Sequence, residues 1–300
     1  MLQQLNPKNK DIKVYIDGEL LHRDEAKISV FDSVVQGGDA VWEGIRVYDG
    51  RVFHLDQHLE RLQNSAHALD FKNIPSNEDI TEAIFQTLKA NGMRDETHIR
   101  LTLTRGRKIT SGMDPRLNQY GCSLIVLAEW KPPVYPPSIT LATSSVRRNS
   151  PMHLDSKIHH NNLLNNILAK IEANYAGADA GLMLDSEGYI AEANGVNVFC
   201  IRKGVVLTPF ADYCLPGITR ATILKLCKAK GIPAEERRLT LTEFYTADEV
   251  FTTGTMGELT RVEAIDGRKI INKSDESVLE EIASHFRQLT ESSGTPIPAW

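Results

Sequence analysis

The sequence has few cysteines, no excess of basic over acidic residues and no long apolar run. Four cysteines occur in 300 residues, and their spacing matches no zinc or redox motif. Basic residues number 34 against 39 acidic ones, and this net charge of −5 predicts no nucleic-acid surface. The longest apolar run, residues 124–128, is far shorter than the ~20 residues that cross a bilayer, and the polar N-terminus lacks a signal-peptide core. We therefore expect a cytoplasmic protein without metal, membrane or nucleic-acid partners.

The composition is that of an ordinary globular protein, with 41% hydrophobic and 24% charged residues. The length predicts about two domains of roughly 150 residues each. The clearest boundary is the segment of residues 131–137, because its four prolines favour an extended linker. We predict an α+β protein with a small N-terminal domain over residues 1–130, this linker, and a larger domain over residues 138–300.

Turn signals and apolar spacing predict alternating strands and helices. Three Asp-Gly pairs between short apolar segments predict β-hairpins, at residues 17–18, 49–50 and 266–267. Apolar residues spaced by three and four predict helices over residues 56–70, 79–90, 161–175, 218–231 and 275–290. Apolar or alternating segments predict strands over residues 99–104, 123–129, 139–142, 181–184, 197–201 and 249–252. Residues 106–121 have almost no periodicity and predict a long loop of the kind that is often functional.

Four short segments carry groups suited to catalysis or anion binding, although each alone is also compatible with a plain surface turn. Lys157 precedes a predicted helix among small polar residues, and Glu192 follows an apolar strand and enters a small-residue turn. Residues 215–220 open a helix, whose first N–H groups suit an anion. Residues 252–257 form a second small, hydroxyl-rich turn suited to phosphate. An amine, a carboxylate and two phosphate-binding turns are together the parts of a pyridoxal phosphate site.

Five motifs in their order resemble the class IV aminotransferases, which are fold type IV pyridoxal phosphate enzymes, over roughly residues 12–290. The motifs are Trp42-Glu43-Gly44-Ile45-Arg46, His58-Leu59-Glu60-Arg61-Leu62, Glu192 to Phe199, Leu215 to Arg220 and Phe251 to Thr260. The resemblance implies a small α/β N-terminal domain and a larger C-terminal domain with a mixed, barrel-like sheet and helices. It also implies pyridoxal 5'-phosphate as the cofactor, and a homodimer in which a loop of the partner closes the site.

The resemblance assigns the cofactor-binding residues position by position. Lys157 matches the Schiff-base lysine that also moves the proton, Glu192 the carboxylate on the pyridine nitrogen, and Arg61 the arginine on the phosphate. Ile218 and Thr219 match the backbone amides on the phosphate, and Thr255 matches a hydroxyl on it. Leu215 matches the side chain on one ring face, and Asn197 completes the turn after the glutamate. One position departs from the family pattern, because Asn162 stands where branched-chain enzymes usually have a tyrosine.

Among the members of the family, branched-chain aminotransferases are the most similar. This implies ping-pong transfer of an amino group between a branched-chain L-amino acid and 2-oxoglutarate. The matching substrate positions are Trp42, Arg100, Trp130, Met256 and Gly257, with Tyr135 as a further wall of the apolar pocket.

Other features resemble other members of the family. Gly37 stands where branched-chain enzymes usually have a pocket tyrosine. Residues 104–106 resemble the D-amino-acid transaminase segment whose arginine, here Arg105, binds the α-carboxylate, and Arg107 is close enough in sequence to reach the same group. Both arginines are equally compatible with a solvated loop. Residues 29–32 resemble the (R)-selective amine enzymes. A D-amino-acid or (R)-amine transaminase is therefore the alternative, followed by an aminodeoxychorismate lyase. A binding protein that has lost catalysis is a further alternative, but the presence of the lysine and the glutamate argues against it.

Overall fold

The computed structural model describes residues 4–132, 136–274 and 276–300, which form two compact units. The N-terminal unit contains residues 4–132, 158–162 and 290–300, and the C-terminal unit contains the other described residues. The predicted linker includes residues 133–135, which lie outside the described residues together with the pocket wall predicted at Tyr135. The division of the chain at that linker therefore stays a prediction. Within the described part of the chain, no helix is long and apolar enough to cross a membrane.

Groups of strands are separated by single helices or a pair of helices along the described chain. The strands are β1 (Lys13–Ile16), β2 (Glu19–His22), β3 (Ala40–Tyr48), β4 (Arg51–Val52), β5 (Thr97–Thr104), β6 (Ser123–Trp130), β7 (Ser138–Thr143), β8 (Ala180–Leu184), β9 (Ile190–Ala193), β10 (Asn197–Arg202), β11 (Val205–Thr208), β12 (Ala234–Glu236), β13 (Glu249–Gly254), β14 (Glu258–Ile265), β15 (Arg268–Lys269) and β16 (Thr295–Pro296). The helices are α1 (Ser33–Gly37), α2 (Leu55–Ala68), α3 (Asn77–Asn91), α4 (Leu164–Tyr175), α5 (Ile218–Lys230), α6 (Leu241–Tyr245) and α7 (Val278–Ser292).

The N-terminal unit is an antiparallel sheet in the order β16-β4-β3-β5-β6-β1-β2, with α2 and α3 packed on its apolar side chains. The hairpins predicted at the first two Asp-Gly pairs are confirmed. Asp17 and Asp49 have φ of 49° and 41°, the positive values that a tight hairpin turn requires. Helix α3 begins with a capping box between Ser76 and Asp79 and ends at Gly92, whose φ is 64°.

The C-terminal unit is a mixed sheet in the order β12-β11-β10-β13-β14-β7-β8-β9, with β15 paired to β14. Strand β7 lies between β14 and β8 and runs parallel to both. The core of the C-terminal unit contains buried aliphatic and aromatic side chains from several strands and from α6. This mixture of sheets and helices agrees with the predicted α+β class.

Two local predictions are wrong. Glu192 does not follow a strand but lies within β9, opposite Met183 of β8. All four residues of β9 are buried, so the strand has no alternating pattern to mark it. Helix α4 begins at Leu164 rather than at residue 161, because the preceding segment pairs with β3 instead. The Asn161 N–H donates to the Ala40 carbonyl at 2.8 Å, and the Trp42 N–H donates to the His159 carbonyl at 2.9 Å. These bonds form an antiparallel bridge between Val41 and His160.

Residues 106–121 form a long connection, as predicted, with a short 3-10 turn at Pro115–Leu117. Its two ends are held together closely. Gly106 has a φ of 96°, and a Cβ there would lie 1.8 Å from the Gly121 carbonyl oxygen. Only glycine fits at this position, so the geometry of the loop base depends on it.

Candidate active site

A buried carboxylate lies on β9 of the C-terminal unit. Glu192 is only 5% exposed. Its Oε1 accepts a hydrogen bond from Arg148 Nε at 2.6 Å, and its Oε2 accepts one from Asn197 Nδ2 at 3.1 Å. The Leu215 N–H also points at Oε1, at 3.5 Å. Burial raises the pKa of Glu192 above its ordinary value, and the positive charge of Arg148 opposes that rise.

The start of helix α5 lies beside this carboxylate. Asn197 also donates to the Leu215 carbonyl at 2.9 Å, which ties the turn before the helix to β10. A Cβ at Gly217 would lie 2.0 Å from Asn197 Oδ1, so glycine is required for the close approach. No side chain caps the helix at this N-terminal residue. Thus the first N–H groups, those of Ile218 and Thr219, belong to a helix end of the type that binds anions.

The turn between β13 and β14 contains Thr255, which the resemblance assigns to the phosphate, and Met256 and Gly257, which it assigns to the substrate. Thr255 and Met256 are half-buried and Gly257 is buried. The Gly257 carbonyl accepts a hydrogen bond from Thr260 Oγ1 at 2.8 Å, which fixes the turn. Nearby in sequence, the Thr253 hydroxyl is buried without a hydrogen-bond partner among the described residues.

Lys157 lies in the segment between β7 and α4 and is exposed. Its own N–H donates to Asp155 Oδ1 at 2.9 Å, and the neighbouring Ser156 hydroxyl donates to the Asn149 carbonyl at 2.9 Å. The backbone of this segment is therefore held independently of the lysine side chain. The sequence predicts this lysine directly before a helix start, and that part of the prediction is wrong because α4 begins only at Leu164. Its catalytic role stays a prediction.

Arg148 is the residue of this cluster that the sequence analysis missed. It is 6% exposed and pairs with a carboxylate 44 residues away in sequence. No periodicity or motif distinguishes it from the adjacent Arg147. The only available signal was the glutamate itself, because a buried carboxylate requires a positive partner.

The N-terminal unit has its own buried charge cluster around Glu43, which is fully buried in β3. Arg61 donates to both carboxylate oxygens, from Nε at 2.7 Å and from Nη2 at 2.6 Å. Nδ1 of His58 lies 2.6 Å from Oε2, and Nδ1 of His159 lies 3.1 Å from Oε1. Burial alone would raise the pKa of Glu43, but His159 and Arg61 outweigh it and hold this pKa well below the usual range. Burial lowers the pKa of His159 to about 4, so its ring is neutral near pH 7.

The structure brings together two of the predicted substrate residues. The Arg100 guanidinium lies 3.3 Å from the centre of the Trp42 ring, a cation–π contact. The Trp42 indole N–H donates to the His160 carbonyl at 3.1 Å. Burial lowers the pKa of Arg100 to about 10, a value at which the group is still charged at neutral pH. Trp130 lies at the end of β6. Its N–H donates to Asn9 Oδ1 and its carbonyl accepts from Asn9 Nδ2, so these backbone bonds do not involve Trp42 or Arg100.

Arg105 is held by contacts inside the N-terminal unit. Its Nε and Nη2 donate to the two oxygens of Asp39 at 2.5 and 3.1 Å. Its remaining bonds reach the carbonyls of Leu69 and Asp70, and the guanidinium lies over the Phe71 ring. These contacts favour a role in fixing the ends of β5 and α2. Its assignment to a substrate carboxylate stays a prediction.

The fold and these clusters agree with one enzyme family. The family described as amino-transferase class IV has a model that matches residues 40–265. That match covers most of the chain, so the chain belongs to the class IV aminotransferase family.

Individual relatives are named as branched-chain aminotransferases. The chain is 58% identical over 296 residues to branched-chain-amino-acid aminotransferase-like protein 2 of Arabidopsis thaliana, covering 98% of this chain and 53% of that protein. The chain thus spans about half the length of this curated relative. It is also 38% identical over 287 residues to a putative branched-chain-amino-acid aminotransferase of Methanocaldococcus jannaschii, covering 95% of this chain and 99% of that one.

A solved structure supports the fold. The crystal structure of the branched-chain amino acid aminotransferase of Escherichia coli superposes with a TM-score of 0.88 at 31% sequence identity. The likeness covers 97% of this chain and 98% of that one. The predicted α+β fold of type IV pyridoxal phosphate enzymes is therefore confirmed.

Proposed function

We propose that this chain is a pyridoxal-phosphate-dependent aminotransferase that moves an amino group between a branched-chain L-amino acid and 2-oxoglutarate. The observation that carries the proposal is the buried carboxylate of Glu192, held by Arg148, Asn197 and the Leu215 N–H. A buried carboxylate that already accepts hydrogen bonds from one positively charged donor and from neutral donors is suited to pair with a protonated ring nitrogen. The names of the relatives supply the substrate class.

The groups of the C-terminal unit fit pyridoxal 5'-phosphate. The helix end at Gly217 lacks a side-chain cap, and the buried Thr253 hydroxyl lacks a hydrogen-bond partner among the described residues. Both are polar groups that a phosphate-bearing ligand would satisfy. When bound, the cofactor supplies an electron sink for the bonding electrons at the substrate Cα. Lys157 would hold it through Nζ and move a proton at that atom.

The remaining assignments are proposals based on the family resemblance. To the cofactor we assign Arg61, Lys157, Glu192, Asn197, Leu215, Ile218, Thr219 and Thr255. To the substrate we assign Trp42, Arg100, Trp130, Met256 and Gly257. The four cysteines are free thiols, which is consistent with the proposed cytoplasmic location.

The contacts of Arg105 support the L-amino-acid interpretation over the D-amino-acid alternative. That alternative needs this arginine to bind the substrate α-carboxylate. Here the guanidinium already donates to Asp39 and to the carbonyls of Leu69 and Asp70. Its transfer to a substrate would break this ion pair, whose arginine and aspartate side chains are 13% and 30% exposed, and would leave Asp39 without this charged partner.

The test of this function is the visible absorption spectrum of the purified protein with pyridoxal 5'-phosphate, recorded while single amines are added. Conversion of the bound cofactor to its amine form removes the visible band. We expect L-leucine to remove it, and D-alanine and an (R)-arylamine to leave it unchanged. Loss of the band with D-alanine or the arylamine but not with L-leucine would replace this proposal with the alternative. A protein that shows no band after cofactor addition would not be a pyridoxal phosphate enzyme.

We further propose that the chain forms a homodimer through helix α4. An apolar stripe on this helix is exposed at one-turn spacing, formed by Leu164, Ile167, Leu168, Ile171 and Tyr175, which are 68%, 50%, 52%, 43% and 90% exposed. A stripe of this length is typical of a surface that another protein covers. A second copy is the occupant that the aminotransferase family implies.

Size-exclusion chromatography with light scattering, which measures the molar mass of the eluted protein, tests this proposal. We expect the wild-type mass to be twice that of one chain, and the double variant Ile167→Asp/Leu168→Asp to elute as a monomer, because two buried charges without partners disrupt an apolar interface. The matched control Ile167→Leu/Leu168→Met keeps the stripe apolar and should stay dimeric. A monomeric wild type would contradict the dimer, and a dimeric aspartate variant would contradict the role of α4.

A further inference from the structure

Arg148 is a buried cation with one charged partner, Glu192, in the part of the chain that the structure describes. Its Nε donates to Glu192 Oε1 at 2.6 Å, and both side chains are about 6% exposed. Its backbone N–H donates to the Leu184 carbonyl at 2.8 Å, which anchors the residue beside β8. Its Nη1 is buried without a hydrogen-bond partner among the described residues. This arrangement contributes little to the stability of the fold. The free energy that the ion pair gains is largely offset by the desolvation of its two charges and by the unsatisfied donor.

The hydrogen bonds around the carboxylate are unevenly distributed between its two oxygens. Among the described residues, Oε1 receives both the Arg148 Nε–H and the Leu215 N–H, while Oε2 receives Asn197 Nδ2 alone. A carboxylate oxygen accepts about two hydrogen bonds. The acceptor capacity that remains is therefore on Oε2, the oxygen that the arginine does not contact.

We propose that Arg148 is a positioning residue that keeps Glu192 ionised and leaves Oε2 as the acceptor for the protonated ring nitrogen of the cofactor. This inference rests on the proposed function. Without the arginine, burial favours the neutral carboxylic acid, which is a poor partner for a cationic ring. The arginine thus acts on the cofactor through the glutamate, with no contact of its own required.

Three variants test this role. Arg148→Met removes the charge at similar volume, Arg148→Lys keeps a charge without the planar fork, and Glu192→Gln removes the carboxylate charge directly. Each protein is titrated with pyridoxal 5'-phosphate to obtain its dissociation constant. The visible spectrum of the bound cofactor is then recorded across pH, together with the melting temperature of the cofactor-free protein.

We expect Arg148→Met to weaken cofactor binding on the order of tenfold, the size of one lost charge-assisted hydrogen bond. Its bound-cofactor spectrum and pH dependence should match those of Glu192→Gln, and Arg148→Lys should restore part of the wild-type behaviour. A purely structural arginine predicts a different result, in which the melting temperature falls but the spectrum and its pH dependence stay as in the wild type.

The outcomes separate this inference from the proposed function. Wild-type protein that binds cofactor, with Arg148→Met binding it equally well and with an unchanged spectrum, overturns the inference alone. Wild-type protein that binds no pyridoxal phosphate overturns both. If Arg148→Met fails to fold, the double variant Arg148→Met/Glu192→Gln removes both buried charges and replaces it. That variant should match Glu192→Gln in spectrum and in cofactor affinity, and a further loss of affinity beyond that of Glu192→Gln would contradict the inference, because the arginine would then act other than through the glutamate.

Discussion

Replacing Lys157 with alanine should lower the rate of amino transfer by at least about 10³-fold while the protein stays folded. The substitution removes the amine that we assign to holding the cofactor and moving the proton. The lysine is exposed, and its segment is held by the backbone N–H bond to Asp155 and by the Ser156 hydroxyl. The loss of activity should therefore come without loss of structure. Formation of glutamate from L-leucine and 2-oxoglutarate measures the rate, and the melting temperature measures the fold.

Two further variants test whether the loss of activity is specific to the amine of Lys157. Lys228→Ala removes the same charge from an exposed position on α5 and should keep the wild-type rate. Lys157→Arg keeps a positive charge but lacks a nucleophilic amine at neutral pH, so it should be nearly as inactive as the alanine variant. A Lys157→Ala protein that retained a tenth or more of the wild-type rate would remove this lysine from the mechanism.

Glu43→Ala should lower the free energy of unfolding by about 3–5 kcal/mol, the usual cost of breaking a buried ion pair on one side. The carboxylate is fully buried and accepts both bonds of the Arg61 fork. Its removal leaves a mostly buried guanidinium without its charged partner, and it also removes the hydrogen-bond partner of His58 and His159. Urea unfolding of the two proteins measures the difference.

A matched acidic residue controls for loss of charge as such. Glu60 is exposed on α2, close in sequence to the arginine, and Glu60→Ala should change the unfolding free energy by no more than about 0.5 kcal/mol. A cost below about 1 kcal/mol for Glu43→Ala would show that this cluster contributes little to the N-terminal unit.

Local signals predicted much of the fold correctly. The Asp-Gly pairs at residues 17–18 and 49–50 lie at hairpin turns because their backbone tolerates positive φ. Helix α3 ends at Gly92 for the same reason. These signals act over two to four residues, and so the sequence displays them directly. The two errors arose where tertiary pairing replaced a local preference, as in the segment before α4, which pairs with β3.

The sequence by itself determined the class of the protein, since five motifs identified the family. Two of these motifs contain the glutamate and the helix start, and the resemblance assigned the lysine outside them. Only the tertiary structure decided which charges those residues meet. The pairing of Arg148 with Glu192 spans 44 residues, and that of His159 with Glu43 spans 116. A buried charge needs an opposite partner, but the sequence does not say which of the 34 basic residues provides it. That choice depends on which strands become neighbours in the sheet, and it is fixed only when the core is packed.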